Sequence, residues 1–544
     1  MAMRIPKSGL SELLKDGYKH HQGLEEAVLR NIRACRELSA VTRTSLGPNG
    51  KNKLIVNNLE KLFITNDAAT IIQEMDVIHP AAKLIVMATE QQRKEVGDGS
   101  NLVCVLAGEF LNQADELLRM GLHATDITEA YSRASKKALE LLETLVVKKD
   151  IDVTDRDGLI AAVKSSISSK QYGNEDFLSA LVVDACMAVL PKVPANFNVD
   201  NVRTIKIMGS SLNNSTFVRG MVIDRQPDST IKKATNAKVA VFTCPLDISR
   251  TETKGTVLIH NSEDLMKFSR DEEAQLEGAI KEIADAGIKV LVTGSSIGEL
   301  ALHYINRYNL IAVKVLSKFD LRRLCRSVGA VALSRLGAPT VDEAGHCDVV
   351  ETIEIGSDRV TVFRQNDSGS ALSTIVIRGS TRNYMDDVER SLNDAINTFR
   401  TIVRDPRLLP GAGATEMELS RLLGELGDTI PGVEQYGVKQ FAEAFEVIPR
   451  TLADNAGLDA TVILAKLGAA HRKGESSAGV DIETEDASLL DATAANIFDT
   501  FSSKYWAIKY AADVAMTVLK VDQIIMSKPA GGPKPRENGN WDED

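Results

Sequence analysis

Five short motifs in this 544-residue chain combine glycine or alanine with side chains that can do phosphate chemistry. They are TSLGPNG at 44–50, TNDAAT at 65–70, GDGS at 97–100, SLNDA at 391–395 and GAGATE at 411–416. Carboxylates hold divalent cations and orient water, and glycine turns let backbone N–H groups approach phosphate oxygens. The aspartates Asp67, Asp98 and Asp394, with three glycine turns, are therefore the parts that a magnesium-nucleotide hydrolase requires.

The GDGS and TSLGPNG turns also have structural interpretations. Asp98 or Ser100 could cap the apolar helix that follows, with the glycines allowing a sharp turn. Gly47 and Gly50 could simply form a reverse turn. In the functional interpretation, backbone N–H groups of residues 46–50 face a phosphate, and Asp98 holds a divalent cation at a helix N-terminus.

The remaining motifs lie on or beside predicted helices. Asp67 interrupts an apolar stretch, so it either caps a helix or faces a site. Asp394 lies on a helical pattern between two arginines, and an exposed helix with ion pairs one turn apart is the structural alternative. Thr415 and Glu418 predict a capping box at the start of another helix. No Walker G-x-x-x-x-G-K-[ST] motif occurs in the sequence.

Composition limits the class of protein. Hydrophobic residues make up 44% and charged residues 26%, and the length suggests two to four domains. The net charge of -11 disfavours a nucleic-acid or membrane partner, either of which needs a basic face. The amino terminus lacks the apolar core of a signal peptide, and no apolar run approaches the ~18 residues of a spanning helix. Six scattered cysteines and eight histidines form no metal pattern, so we expect reduced thiols in a cytoplasmic protein.

The pattern of apolar residues changes along the chain. Steps of three and four at 22–41 predict an amphipathic helix, and helical patterns continue to about 149. Short β-rich runs alternate with helical runs over 201–366, which predicts an α/β domain. Helical patterns return over 406–526, so a helical domain interrupted by an α/β insertion fits the whole. The Pro- and Gly-rich end of the chain predicts a disordered tail.

In order and wording, the motifs resemble those of the group II chaperonins, the ATP-driven folding machines of archaea and the eukaryotic cytosol. The resemblance covers essentially the whole chain. Its segments are TSLGPNG, TNDAAT, HPAAKLIV, EVGDGS, ERSLNDA, GAGATE, EVIPRTLADNAGLD and VDQII. TNDAAT, where most relatives have T-N-D-G, resembles one subunit type of the eukaryotic complex in particular.

The resemblance implies a multidomain fold of α and α/β type. A mostly helical equatorial domain would bind ATP, an α/β intermediate domain would act as a hinge, and an α/β apical domain with a helical protrusion would bind substrate. The implied boundaries are 1–149 and 405–530 for the equatorial domain, 150–214 and 370–404 for the hinge, 215–369 for the apical domain, about 247–278 for the built-in lid and 531–544 for the tail.

The same resemblance implies ATP and Mg²⁺ as ligands and assigns roles to twelve residues. Asp98 would bind magnesium, while Asp67 and Asp394 would position the hydrolytic water. The implied nucleotide contacts are Leu46, Gly47 and Pro48 on phosphate, Gly99, Ser100 and Asn101 near the phosphates, Lys170 in the loop that senses the terminal phosphate, Gly413 in the nucleoside pocket, and Asp499 on the ribose.

Two positions depart from the family pattern. Where the family reads G-D-G-T-T, this chain has Ser100 and Asn101, so one hydroxyl is kept and the other becomes an amide that can still donate. We expect ATP binding to survive, whereas the rate of hydrolysis is open. Ala412 stands where relatives commonly have glycine and is expected to add only a methyl group.

The implied function is ATP-driven folding of cytosolic polypeptides, with actin and tubulin as clients, inside a double eight-membered ring with seven paralogous subunits. Closure of a hinge would bring Asp394 to the phosphate and move the lid. Clients are expected near 297–308, although the apolar side chains of that helix could instead pack on its sheet. One alternative is a ring subunit that binds nucleotide but hydrolyses it weakly. Another is a small-molecule kinase or stand-alone ATPase of low mass.

Overall fold

A computed structural model describes residues 19–21, 24–57, 59–148, 151–247, 262–356, 358–365, 372–484 and 488–526. The predicted tail and residues 248–261 of the predicted lid lie outside these ranges. The described part is a mixed α/β, multidomain fold, as predicted. Within it, no helix is both long and apolar enough to cross a bilayer.

Helices and strands are numbered here in chain order. The helices are α1 (Leu24–Arg43), α2 (Ala68–Glu74), α3 (Pro80–Glu95), α4 (Ser100–Arg119), α5 (Ala124–Thr144), α6 (Arg156–Ser168), α7 (Glu175–Met187), α8 (Ser262–Asp285), α9 (Glu299–Arg307), α10 (Lys318–Val328), α11 (Arg382–Arg404), α12 (Ala414–Thr429), α13 (Glu434–Ala444), α14 (Val447–Ala456), α15 (Ala460–Arg472) and α16 (Phe501–Leu519). The strands are β1 (Lys19–His21), β2 (Lys53–Val56), β3 (Leu62–Thr65), β4 (Val202–Met208), β5 (Thr216–Ile223), β6 (Lys233–Phe242), β7 (Ile288–Thr293), β8 (Ile311–Lys314), β9 (Ala332–Leu333), β10 (Gly345–Ile355), β11 (Asp358–Arg364), β12 (Ser373–Gly379), β13 (Leu408–Pro410), β14 (Ala478–Val480), β15 (Leu489–Asp491), β16 (Phe498–Thr500) and β17 (Ile524–Met526).

The largest hydrophobic core lies in the helical part and joins the two ends of the chain. Helix α4 is buried along nearly its whole length and packs against α1, α3, α13 and α16. Phe110 stacks on Phe441 with ring centroids 4.2 Å apart, and Tyr131 donates a hydrogen bond of 2.8 Å to the Phe110 carbonyl. Because these helices share one core, the turns before α4, α12 and α16 meet in space.

A nine-stranded sheet forms the α/β part. Its strand order is β4-β12-β5-β11-β10-β6-β7-β8, with β9 beside β6. Alternate residues of β6 point to opposite faces: Val239 and Val241 pack with α10, while Ala240 and Phe242 pack with α8 and α9. The predicted alternation of strands and helices over 201–366 is confirmed by these elements, and helices cover both faces of this part of the sheet.

A third core connects the helical part to the sheet. Helices α6, α7 and α11 pack together, α7 and α11 also pack against β12, and the buried residues form one cluster. Helix α11 is amphipathic, with Val388, Leu392 and Phe399 buried among these partners. Asp394 lies on the same helix, so this packing fixes where its carboxylate can reach. The exact domain boundaries remain a prediction.

Candidate active site

A cavity of about 550 Å³ lies between segments from both helical halves and the α6 to α7 loop. Its volume is within the range of small-molecule sites. Eleven of the twelve predicted site residues line it: Leu46, Gly47, Pro48, Asp67, Asp98, Gly99, Ser100, Asn101, Lys170, Gly413 and Asp499. The twelfth, Asp394, is not a lining residue, but it contacts one of them.

Lys170 joins two of the predicted aspartates. Its ammonium forms an ion pair of 3.1 Å with Asp67 and a second, shorter ion pair with Asp394. All three side chains are nearly buried, with exposed fractions of 10%, 5% and 14% for Lys170, Asp67 and Asp394. The partners come from the α6 to α7 loop, the start of α2 and the middle of α11, so the contact exists only in the folded chain.

Burial and mutual charge set the protonation of this cluster. Burial raises the pKa of Asp394 to about 7; Lys170 opposes the rise, and Asp67 and Asp98 add to it. Burial would also raise the pKa of Asp67, but Lys170 and the Thr70 hydroxyl hold it well below its usual range. Despite burial, Asp394 and Asp67 hold the pKa of Lys170 above its usual value. Lys170 is therefore a fixed cation, and Asp394 is the carboxyl that can exchange a proton near neutral pH.

Asp67 both caps a helix and faces the site, so the two interpretations of TNDAAT hold together. As N-cap of α2 it accepts from the Thr70 N–H at 3.2 Å and from the Thr70 hydroxyl at 2.7 Å. Its other oxygen faces Lys170 and the Ser100 hydroxyl, 3.4 Å away. The cap fixes the carboxylate, which leaves little freedom for it to turn away from the cavity.

Asp98 does not cap α4 as the structural alternative supposed. The helix begins at Ser100 with Gly99 as its N-cap, and no side chain bonds the cap. Gly99 has φ 78°, and an added Cβ would lie 2.6 Å from the Ser503 hydroxyl, so glycine is required there. The Asp98 carboxylate accepts the adjacent Gly99 N–H at 2.7 Å. Burial raises the pKa of Asp98, with Lys170 opposing.

The turn at TSLGPNG offers fewer amides to a phosphate than the sequence predicted. The Leu46 N–H donates to the Arg43 carbonyl at 3.2 Å, and the Gly50 N–H donates to Gly47 at 3.0 Å. Pro48 has no N–H. The N–H groups that these bonds do not use belong to Gly47 and Asn49. The turn therefore uses two of the N–H groups that the functional interpretation directed at a phosphate, and phosphate contacts at Leu46, Gly47 and Pro48 stay a prediction.

The end of the cavity near Asp499 contains charged residues that sequence reasoning missed. Lys504 lines the cavity and pairs with Asp499 at 3.0 Å and with Glu416 at a shorter distance. Glu416 is 1% exposed, and its second carboxylate oxygen has no hydrogen-bond partner among the described residues. Glu416 stood inside the GAGATE motif, and Lys504 lies five residues after Asp499, but neither position carried a local sign of burial.

The GAGATE turn differs from its predicted form. Gly413, with φ 79°, is the N-cap of α12, and no side chain caps the helix. The predicted capping box is wrong because Thr415 donates to the Pro410 carbonyl and Glu418 pairs with His471 at 2.7 Å. Ala412 has φ 54°, a left-handed conformation that costs a non-glycine residue roughly 1 kcal/mol or more. Its methyl group therefore brings backbone strain in addition to volume.

Three helix N-termini meet at this cavity. Ser100, Gly413 and Thr500 all line it, and they begin or precede α4, α12 and α16. Free N–H groups and the helix dipoles make such ends favourable for anions. The cavity thus combines partial positive charge at three helix ends with the carboxylate and lysine cluster, an arrangement that suits an anionic ligand.

The predicted client helix is buried against the sheet on one side only. On α9, Ile305 is fully buried, whereas Leu300 is 40% exposed. Packing on the sheet therefore explains Ile305. Leu316 and Phe319, at the loop before α10 and in its first turn, are more exposed, at 60% and 75%. The more open apolar surface thus lies beside α10, outside the predicted segment.

Comparison with known proteins gives a full-length match. The model of the TCP-1/cpn60 chaperonin family matches residues 38–529. The chain is 54% identical to the probable T-complex protein 1 subunit theta of Schizosaccharomyces pombe, 52% to the subunit theta of Gallus gallus and 51% to that of Homo sapiens. Each alignment covers 100% of both chains.

The motif forms had predicted this relationship. TNDAAT, SKYWAIKYA and VDQIIMSKPAGGPKP resemble the theta subunit of the eukaryotic complex called CCT or TRiC, and the full-length identities confirm that resemblance. Because the family model and the relatives cover almost the whole sequence, the chain belongs to the TCP-1/cpn60 chaperonin family.

Proposed function

We propose that the chain is an ATP-hydrolysing subunit of theta type in a hetero-oligomeric chaperonin that folds other proteins. Members of this family are ATPases. The observation that carries the proposal is the buried cluster of Asp67, Lys170 and Asp394 beside a cavity lined by three helix N-termini. We assign the nucleotide to that cavity, with phosphates toward the cluster and the ribose toward Asp499.

Asp98 fits a magnesium ion that the nucleotide helps to hold. Among the described residues, no group of three His, Cys, Asp or Glu side chains could hold a metal ion alone. Mg²⁺ in phosphoryl-transfer sites is typically held by one or two carboxylates with phosphates and water. Lys170 acts on Asp67, Asp98 and Asp394 together, so the cluster keeps negative charge that a divalent cation would neutralise.

We infer a hydrolytic step in which each of these side chains has one role. Asp67 and Asp394 orient a water for in-line attack on the γ-phosphorus, which forms one P–O bond as the bond to the ADP oxygen breaks. Asp394 accepts the proton of that water, as its pKa of about 7 suits a general base. Magnesium, when bound at Asp98, would screen the phosphate charge. Lys170 holds the two carboxylates together.

The cluster also links hydrolysis to motion. Asp394 is carried by α11, Lys170 by the α6 to α7 loop, and Asp67 by the start of α2. We propose that movement of α11 toward and away from the cavity completes and opens the site, and that the same helix, packed on β12, transmits this motion to the sheet. Lid closure over a bound polypeptide would follow.

The proposed partners are seven paralogous subunits in a double eight-membered ring, and unfolded clients such as actin and tubulin. The β2–β3 hairpin supports an assembly contact, since Leu54, Val56 and Leu62 are 64%, 60% and 48% exposed. Leu316 and Phe319 beside α10 are our candidate client contacts. We place the assembly in the cytosol, where the six free cysteines would stay reduced.

A second candidate function is a subunit that binds ATP but hydrolyses it slowly. Asn101 stands where the family has a hydroxyl residue, and its side-chain oxygen is buried without a hydrogen-bond partner among the described residues. That oxygen cannot donate to a phosphate, although the amide nitrogen can. Direct measurement of turnover in this subunit separates the two candidates.

The first test purifies the assembly through a tag on this subunit. A ring of about a megadalton containing paralogous chains supports the proposal, whereas a monomer whose turnover needs a metabolite contradicts it. Photo-crosslinking with azido-ATP then reports on this subunit alone after denaturing electrophoresis. A radioactive α-phosphate measures occupancy, and a radioactive γ-phosphate disappears when ATP is hydrolysed.

Asp98→Asn should remove the magnesium dependence of that occupancy. In the unchanged subunit, chelation of Mg²⁺ should lower α-label incorporation, and Asp98→Asn should lower it at least about 10-fold with Mg²⁺ present. Asp126→Asn, an exposed carboxylate on α5, is the matched control and should behave as the unchanged subunit. Unchanged α-label incorporation in Asp98→Asn would show that Asp98 does not bind the magnesium ion.

Hydrolysis by this subunit should also depend on pH through Asp394. The carboxyl is protonated below its pKa of about 7 and cannot then accept a proton from water. At low ATP concentration, γ-label loss should therefore fall about 10-fold per pH unit below 7 and reach a plateau above it. A flat profile between pH 5.5 and 8, with occupancy maintained, would exclude Asp394 as the base.

A further inference from the structure

Asp387 is a buried carboxylate that no motif singled out. It lies on α11, seven residues before Asp394, and is 6% exposed. One oxygen accepts a hydrogen bond of 2.8 Å from the Thr65 hydroxyl, and the other accepts one of 2.8 Å from the side-chain amide of Gln171. Both oxygens therefore act as acceptors, an arrangement that suits the ionised carboxylate. The guanidinium of Arg390 stands 3.7 Å away and supplies compensating charge.

Each partner of Asp387 leads to a member of the charged cluster. The Thr65 hydroxyl oxygen also accepts the backbone N–H of Asp67, at 3.1 Å, so it links Asp387 to the turn that carries Asp67. Gln171 immediately follows Lys170 in the α6 to α7 loop. Residues seven apart on a helix lie on nearly the same face, so Asp387 and Asp394 point to the same side of α11.

We propose that Asp387 is the positioning residue that holds Asp67, Lys170 and Asp394 in one geometry for hydrolysis. It does not line the cavity, so its effect passes through Thr65 and Gln171. The inference rests on the proposed ATPase function of the cavity. Asp387 connects α11 to the turn before α2 and to the α6 to α7 loop. This connection fixes the position of α11 in the closed site. Two hydrogen bonds to a buried carboxylate define the position of the helix more precisely than apolar contacts alone.

The first variant is Asp387→Asn, which keeps the shape of the side chain. Asparagine keeps one acceptor oxygen and replaces the other with an NH₂ group, so the bond from Gln171 is lost or the bond with the Thr65 hydroxyl reverses its direction. We expect γ-label loss in the assembled complex to slow by about 10-fold to 100-fold, while half-saturation of the α-label changes by less than about 2-fold. Asp386→Asn is the matched control, because Asp386 pairs with Lys206 at 2.6 Å, away from the cluster.

The Thr65 variants keep the test valid if Asp387→Asn does not assemble. Thr65→Val removes the hydroxyl with little change of shape and should slow γ-label loss in the same way, and Thr65→Ser should restore it. The double variant Asp387→Asn with Thr65→Val should slow γ-label loss by less than the product of the two single effects, since the Asp387–Thr65 bond is common to both. Wild-type rates in Thr65→Val and Asp387→Asn, or loss of occupancy equal to loss of rate, would overturn the proposal.

Failure of this inference differs from failure of the proposed function. If Asp394→Asn blocks γ-label loss but Asp387→Asn and Thr65→Val do not, the cavity is the ATPase site and Asp387 is only structural. If Asp394→Asn also leaves the rate unchanged, the proposed chemistry itself is wrong. Slower turnover in Thr65→Ser would equally contradict a role for the hydroxyl as the connecting group.

Discussion

Asp394→Ala and Asp394→Asn are both expected to stop γ-label loss in this subunit while leaving α-label occupancy within about 2-fold of normal. Asp394 contacts Lys170 but does not line the cavity, so its removal takes away no nucleotide contact. It does remove the proposed base, and general bases contribute roughly 100-fold to 10,000-fold to rate. The expected loss is therefore at least about 100-fold.

The choice of control on α11 makes this result specific. Asn393 precedes Asp394 and is exposed, so Asn393→Ala changes the same turn of helix without touching the cluster. That variant should hydrolyse ATP at the normal rate. An Asp394→Asn subunit with normal turnover would show that another group accepts the proton, and equal losses of occupancy and turnover would show that Asp394 supports the cavity rather than the chemistry.

The motifs predicted which residue types serve phosphate chemistry, but the residues alone did not predict that the aspartates converge. Nothing in the spacing of Asp67, Asp98 and Asp394 brings them together; the resemblance to a family implied it, and the structure places all three around Lys170. Periodicity predicted α1 and the alternating elements β6 to α10, since amphipathic patterns follow directly from which face is buried.

Contacts between distant segments were beyond sequence reasoning. The capping-box pattern at Thr415 and Glu418 depends on neighbouring residues only. In the structure the carboxylate of Glu418 instead pairs with His471, 53 residues away. Lys504 was unremarkable in sequence because burial of a lysine depends on carboxylates such as Glu416, which are distant along the chain. At Glu418 and Lys504, contacts with residues distant along the chain override local propensity, and a single sequence does not reveal such contacts.

Backbone conformation was equally hidden. Ala412 resembles a conservative change from glycine in sequence, and only its φ of 54° shows that the position is strained. On α9, the apolar pattern could not distinguish a client surface from a core face, since both need the same residues. The buried Ile305 and the exposed Leu300 divide that helix between the two interpretations.

Lys170→Met is expected to remove hydrolysis and also to destabilise the subunit. Methionine keeps much of the length but not the charge, so Asp67 and Asp394 would face each other, 5% and 14% exposed, without their shared cation. Removing one partner of a buried ion pair typically costs about 3–5 kcal/mol. We expect the subunit to leave the tagged complex at a lower temperature, as followed on native gels, and γ-label loss to stop.

Lys164→Met is the matched control for this variant. Lys164 also lines the cavity, but it is 41% exposed and pairs with Asp176, which is 80% exposed. An exposed ion pair contributes roughly 0–1 kcal/mol. The control should therefore release its subunit near the normal temperature. Equal losses in the two variants would mean that any lysine lining the cavity is needed, and the special role of Lys170 would be refuted.

A second substitution separates the charge of Lys170 from its packing. Adding Asp394→Asn to Lys170→Met removes one of the two uncompensated carboxylates, so stability should recover while hydrolysis stays absent. Lower pH should act in the same direction on the single variant. Burial and the nearby Asp67 raise the pKa of Asp394 in the folded subunit. The free energy of unfolding is therefore greatest below the pKa of about 4 that Asp394 has in the unfolded chain, and it falls as the pH rises through the folded-state pKa. If neither the double variant nor lower pH restores stability, the methylene chain of Lys170, rather than its charge, is what the cluster needs.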